Sequence, residues 1–268
     1  MVEGGKVWFV GGGPGAADLL TLRAARVIAT ADVVIWAASL VHPDVLRHAR
    51  DGVELIDSSR LPLEGFVPLY ERAARDGLTV ARLHSGDPAL WGAVQEQLDF
   101  CVALGLDVEI VPGISSFTAV AAIVQRELTI PGVAQSVILT RLEGGRTPMP
   151  DGESIRGFSR HGTTMAVFLS AARSGQLAGE LLAGGYPADT PVVVAHQATW
   201  PDELVVGCTI ATLEETVKRH RLWKHTLFLI GPALAASGTR SHLYHPGHFH
   251  SFRRAEPQAR RDLLGGAR

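Results

Sequence analysis

Short apolar runs alternate with stretches in which apolar residues recur every three or four positions. Lys6 to Val10 is an apolar run stopped by Gly11-Gly-Gly-Pro-Gly15. Asp18 to Thr30 carries Leu19, Leu22 and Val27 on one side, with Arg23 and Arg26 between, so the spacing predicts a helix. Asp32 to Trp36 and Val53 to Asp57 read as further strands, with a short helix over Pro43 to Arg50 between them. Glu64 to Asp76 reads as a helix ended by Gly77.

The stretch Thr79 to Trp91 organises what surrounds it. It opens as a β-rich run, breaks at Ser85-Gly-Asp-Pro88, and enters a pattern that puts Leu90, Val94, Leu98 and Cys101 on one helix face. Gly86 allows a ligand to approach the backbone. Asp87 suits a helix cap and Pro88 a first turn. Asp107 to Val111 is another strand; Pro112-Gly-Ile-Ser-Ser116 and an Ala- and Val-rich helix to Arg126 follow. Strand and helix alternate throughout, which predicts a mostly parallel sheet covered on both faces.

The second half has a different grammar. Strands are expected at Ala134 to Arg141 and Thr163 to Ser170, separated by a polar, Gly- and Pro-rich segment. A helix over Ser174 to Ala183 ends at Gly184-Gly185. Pro191 to Ala198 and Leu204 to Ile210 lie close enough to form a hairpin, so this sheet is mixed. A helix over Leu213 to Leu222 and a strand over His225 to Ile230 complete it. The expected organisation is an α/β domain over residues 1–115, a second over 116–250, and a polar, disordered tail over 251–268.

Composition narrows the function. The 268 residues are 46% hydrophobic and 19% charged, with a formal net charge of −2. That balance lacks the basic stripe a nucleic-acid partner wants. No apolar stretch is long enough to span a bilayer, and no secretory leader is visible, so no membrane partner is expected. Two cysteines, Cys101 and Cys208, build no disulfide framework, and a cytoplasmic setting is the expectation.

Three turns stand at strand ends, where open α/β sheets hold ligands. Gly11, Gly13 and Ala16 fit a dinucleotide fingerprint. Against that reading, Pro14 removes an N–H that a pyrophosphate would want, and no acid follows Trp36 to hold a ribose. No turn carries a lysine. Backbone groups, small hydroxyls and one carboxylate suit an adenosine-bearing ligand without phosphates. His242, His245, His248 and His250 crowd the C-terminal end, but Pro246-Gly247 interrupts them and no metal is expected there.

Val10-Gly-Gly-Gly-Pro-Gly15 with Asp18-Leu-Leu-Thr21 resembles the N-terminal signature of the tetrapyrrole methylases. His84-Ser-Gly-Asp-Pro88, Val111-Pro-Gly-Ile-Ser-Ser116 and His225-Thr-Leu-Phe-Leu-Ile-Gly231 are similar to that family's later blocks, in the same order. The resemblance runs from about Val7 to Gly231. Ile35 to Leu40, Gly86 to Gln97 and Thr140 to Pro150 are most similar to the branch that methylates corrin precursors.

The resemblance implies a homodimer of two-domain α/β chains, with S-adenosyl-L-methionine in the cleft between domains and a tetrapyrrole acceptor. It implies cofactor contacts at Pro14, Ser85, Gly86, Asp87, Leu90, Ser115 and Ser116, and more loosely at Leu169 and Ala198, with Ala195 a competitor for Ala198. Gly13, His84, Arg141 and Arg146 are the candidate acceptor contacts, since arginine forks suit a polycarboxylate. Asp87 is the one carboxylate in the three turns and the candidate base, although capping a helix or holding a ribose explains it equally. A sister methylase acting on another ring position or on a cobalt-containing ring stays open. So do a nicotinamide oxidoreductase and a non-catalytic binder.

Overall fold

The structure is a computed structural model that describes residues 4–144, 148–239 and 241–265. The first half builds five strands: β1 (Lys6–Gly11), β2 (Val33–Trp36), β3 (Glu54–Asp57), β4 (Thr79–His84) and β5 (Asp107–Val111). They lie in the order β3-β2-β4-β1-β5, and every pairing is parallel. Successive side chains point to opposite faces. Val10, Val34 and Leu83 therefore join one apolar cluster, while Val7, Phe9, Val33, Ile35 and Val80 join another. Both faces of the inner strands are covered, which is why the middles of β1 and β2 read as apolar runs. Burying each such side chain contributes about 1.5–3 kcal/mol.

The helices α1 (Leu22–Thr30), α2 (Val67–Asp76) and α3 (Val94–Ala103) supply the covering layers. Three boundaries differ from expectation. Asp18 lies in a separate 3₁₀ turn, and Thr21 starts α1 by accepting from the Ala24 N–H at 3.1 Å. Glu64 likewise lies in a 3₁₀ turn ahead of α2, which Gly77 ends at φ 67°. The helix expected from Pro88 begins only at Val94, because residues 88–93 loop outward through two left-handed residues, Trp91 and Ala93. Leu90 is thus not on α3, whose buried positions are Val94, Gln97 and Cys101.

Helix α4 (Ser116–Ile123) starts at the end of the turn after β5, and its Val120 packs against the second sheet. That sheet comprises β6 (Val137–Arg141), β7 (Thr164–Phe168), β8 (Pro191–His196), β9 (Leu204–Thr209) and β10 (Thr226–Ile230), in the order β6-β7-β10-β8-β9. Only β6 and β7 are parallel; β8 and β9 form the expected hairpin. One face carries Met165, Val194 and Phe228 against α6 (Ser174–Ala183) and α7 (Leu213–His220). A short helix, α5 (Ile155–Ser159), was not legible; Ser154 caps it by accepting from the Gly157 N–H. The C-terminal segment is not the irregular tail that composition suggested. It holds α8 (Pro257–Gly265), tied back by the Glu256 N–H to the Pro246 carbonyl.

Candidate functional site

The carboxyl ends of β4, β1 and β5 lie side by side, so their three turns meet. Glycine makes the meeting possible: a Cβ on Gly113 would stand 2.1 Å from the Gly86 carbonyl oxygen, and one on Gly11 2.5 Å from the Gly113 backbone. Gly13 and Gly86 take left-handed φ values of 73° and 65°, and each donates its N–H to the other's carbonyl. The Asp87 carboxylate completes the knot. Its Oδ1 accepts from the Ala89 N–H at 2.8 Å and its Oδ2 from the Gly113 N–H at 2.9 Å.

These bonds decide what the N-terminal turn can hold. The Gly12 N–H goes to the His84 carbonyl, that of Gly13 to Gly86, and that of Ala16 to Thr199 Oγ1 of the second half. Three donors that a pyrophosphate would claim are already spent. These three bonds make the turn a structural joint.

The second half closes over the joint with turns of another kind. Leu169, Gln197, Thr199 and His225 are all left-handed although none is glycine, at φ 52°, 46°, 67° and 48°. Each such residue costs roughly 1–2 kcal/mol, so the cluster marks a place where geometry outranks local comfort. Trp200 reaches across: its indole N–H donates to the Pro14 carbonyl at 3.0 Å, and its ring meets His42 edge-on at 5.0 Å.

Between the halves lies a cleft of about 380 Å³. Pro14, Ser85 and Ser116 line it from the first half; Leu169, Ala195 and Ala198 line it from the second. Trp200 and His225 complete one wall. No carboxylate lines it among the described residues, and Lys224 is its one permanent cation. Burial, with His196 and Lys224 nearby, lowers the His225 pKa and favours a neutral ring. A slot of this size, apolar with scattered hydroxyls, fits a nucleoside better than a nucleotide.

The other expected contacts fall elsewhere. Gly13, Gly86, Asp87, Leu90 and Ser115 line neither this cleft nor the second cavity described next; the first three and Ser115 stand behind the cleft wall as its frame. Asp87 caps no helix; each of its oxygens accepts one backbone N–H. His84 lines neither cavity. It is 6% exposed, hydrogen-bonded to the Gly92 backbone, and pushed down to about 3 by burial and the neighbouring Arg82 guanidinium. Arg146 lies outside the described residues.

Arg141 lines a second cavity of about 610 Å³, donating from NH2 to the Pro148 carbonyl at 3.0 Å. Arg173 shares that rim and donates to the carbonyls of Leu142 and Glu143; Trp91, Met149 and Phe158 supply apolar surface. Sequence reasoning missed Trp200, His225 and Arg173 as site residues. Nothing local marks them, because the second-half turns bend without glycine. Among the described residues no group of histidines, cysteines and acids is placed to hold a metal.

Comparison with known proteins bears on the whole arrangement. Residues 6–214 match the family model of the Tetrapyrrole (Corrin/Porphyrin) Methylases. A precorrin-4 C(11)-methyltransferase of Rhodococcus erythropolis is 45% identical over 89% of this chain and 96% of its own length. A cobalt-precorrin-4 C(11)-methyltransferase of Methanocaldococcus jannaschii is 40% identical over 93% and 96%. The X-ray structure of a cobalt precorrin-4 methyltransferase of cobalamin biosynthesis superposes with a TM-score of 0.83 at 40% identity, covering 86% of this chain and 96% of that one. A uroporphyrin-III C-methyl transferase from Thermus thermophilus, complexed with S-adenyl homocysteine, superposes at 0.72 with 29% identity, covering 86% and 94%. The chain belongs to the tetrapyrrole methylases.

Proposed function

We propose that this enzyme transfers a methyl group from S-adenosyl-L-methionine to ring carbon 11 of precorrin-4, a step of cobalamin biosynthesis. One observation carries the reading. The strand-end turns of the first sheet and the left-handed turns of the second enclose a cleft whose neighbouring turn has the Gly12, Gly13 and Ala16 N–H groups already engaged. The two methyltransferases of Rhodococcus erythropolis and Methanocaldococcus jannaschii support the choice of acceptor by their names.

When bound, the donor supplies an activated methyl group on a sulfonium. Pro14, Ser85 and Ser116 would hold it from one side, and Leu169, Ala195 and Ala198 from the other. Gly86, Asp87 and Ser115 would keep the turns in register from behind. The acceptor ring carbon brings its own electron pair, so the protein needs no nucleophile. Its task is alignment and exclusion of water, and effective molarities show how much alignment alone accomplishes. Asp87, bonded to the Ala89 and Gly113 N–H groups, serves that alignment.

The reading includes a homodimer in a reducing cytoplasm. Cys101 and Cys208 are free thiols, and among the described residues no helix is long and apolar enough to cross a membrane. A sedimentation experiment checks the dimer. The activity is checked by incubating the protein with methyl-labelled donor and either precorrin-4 or its cobalt form. Label on carbon 11, located by NMR, is the expected result. The more rapidly methylated form identifies the acceptor, and label at another position would reassign the enzyme to a sister reaction.

A further inference from the structure

Charge is divided unevenly along the chain. Residues 1–239 carry 19 lysines and arginines against 25 acids, whereas residues 241–265 carry four arginines against two acids. The basic segment also exposes aromatic side chains: Tyr244 is 75% exposed and Phe252 97%. Phe252 sits at the tip of a tight turn, because His250 and Arg253 exchange both backbone N–H bonds, at 3.1 and 2.9 Å. The turn is braced from within. The Arg253 guanidinium donates to the carbonyls of Leu243 and His245, and the Glu256 N–H donates to that of Pro246. Phe252 is thus an apolar ring held out in water on a preformed turn, with Arg254 exposed beside it. Such a group has little backbone entropy left to lose on docking.

A small pocket on the first half matches that ring. It lies between the start of α2 and α3 and has a volume of about 130 Å³. Leu63, Phe66, Tyr70 and Phe100 give it apolar walls. A cavity on the order of 150 Å³ takes a benzene molecule, so the space suits one phenyl group. Phe66, Tyr70 and Phe100 already form a row, with ring centroids 6.3 and 6.5 Å apart, and a fourth ring would find aromatic neighbours there. The Tyr70 hydroxyl donates to Gln97 Oε1 at 2.9 Å and so asks nothing of an occupant. The two charged residues that line the pocket, Glu64 and Glu96, are both acids and both exposed.

We propose that Phe252 of one copy of this chain seats in that pocket on a second copy, with Arg254 facing the carboxylates of Glu64 and Glu96. Size, apolarity and charge agree at one place. The contact runs between copies, because Phe252, at 97% exposure, does not fill the pocket of its own chain. The root of the basic segment is bonded to neighbouring loops, Arg126 donating to the Ala236 carbonyl and Thr239 to that of Pro131. Burial of the phenyl ring supplies most of the attraction, and the exposed charges at the rim select the partner. The pocket shares no lining residue with the cleft or the second cavity, so the contact stands apart from the methyl transfer.

The test uses the full chain with photoreactive benzoylphenylalanine in place of Phe252. Equal amounts of light and heavy-isotope protein are mixed and irradiated, and the cross-linked peptides are read by mass spectrometry. Peptides joining position 252 of one isotope to residues 63–70 or 96–100 of the other are the expected result. Cross-links confined to one isotope would put the ring within its own chain, links to other segments would put it on another surface, and no link would leave it in solvent; each of these overturns the proposal. Sedimentation gives a second reading. Phe252→Ala should weaken self-association by about tenfold. Arg254→Glu should weaken it less, since exposed charge pairs are screened, and Glu64→Arg added to Arg254→Glu should restore part of that loss. These side chains are exposed, so an unchanged Tm reports that the variants are folded. Self-association equal to wild type in Phe252→Ala would also overturn the contact.

Discussion

The two halves of the site solve one problem in opposite ways. In the first half the chain must bend sharply where three parallel strands end, and glycine does the bending. Gly11, Gly86 and Gly113 pack so closely that a single methyl group on Gly113 would reach within 2.1 Å of a carbonyl oxygen. In the second half the bends fall on Leu169, Gln197, Thr199 and His225, each left-handed without a glycine's freedom. The joint itself is built from glycine, although the adjoining 88–93 turn is left-handed at Trp91 and Ala93. The second half places Leu169, Gln197 and His225 on the cleft and Thr199 against the Ala16 N–H, at a conformational cost of roughly 1–2 kcal/mol apiece. Strain is tolerated where the side chain is wanted; glycine is used where only the backbone is wanted.

Acid should break the first half before the second. His84 is neutral in the folded protein, with a pKa near 3, and protonates near 6.5 when unfolded. The unfolded state therefore binds more protons between those values, and stability falls as pH drops from about 6.5 towards 3. The loss could reach on the order of 4 kcal/mol. Denaturant titrations across that range should show a steep decline in wild type and a shallower one in His84→Asn, whose amide can still bond the Gly92 backbone. Parallel slopes would mean that His84 is not held neutral.

Next in size is the glycine joint. Gly113→Ala should cost about 3 kcal/mol by overpacking the contact with Gly86. A lower Tm should accompany weaker S-adenosylhomocysteine binding, because the turn carrying Ser115 and Ser116 would move. An unchanged Tm would show that the three turns are not locked together.

A milder break lies across the halves. Trp200→Phe keeps a ring against His42 but removes the donor to the Pro14 carbonyl, and should cost about 1 kcal/mol. Calorimetry should find S-adenosylhomocysteine affinity reduced several-fold. The smallest effect sharpens the contrast by its sign. Leu169→Gly relieves a left-handed leucine whose side chain buries little, offset by the entropy of a freer unfolded chain, and should change stability by less than about 1 kcal/mol. A thermal melt that drops by many degrees would mean that Leu169 supports the fold as well as lining the cleft.

Much was legible from residue order alone. Every strand read from apolar patterning is present, both sheets have the expected kind of pairing, and the three turns stand at strand ends. Such features are local: a strand covered on both faces must be apolar throughout, and a sharp turn beside another backbone must use glycine. Neighbours in space decided the rest. Trp200 reaches Pro14 across 186 positions of chain, and Thr199 reaches Ala16 across 183. His84 reads as an exposed strand end until the 88–93 turn folds over it, and Asp87 reads as a helix cap until the Gly113 N–H arrives to occupy its second oxygen. Burial, pKa and hydrogen-bond occupancy belong to contacts between distant segments, so patterning could locate the joint but not say which side chains would face the cleft it supports.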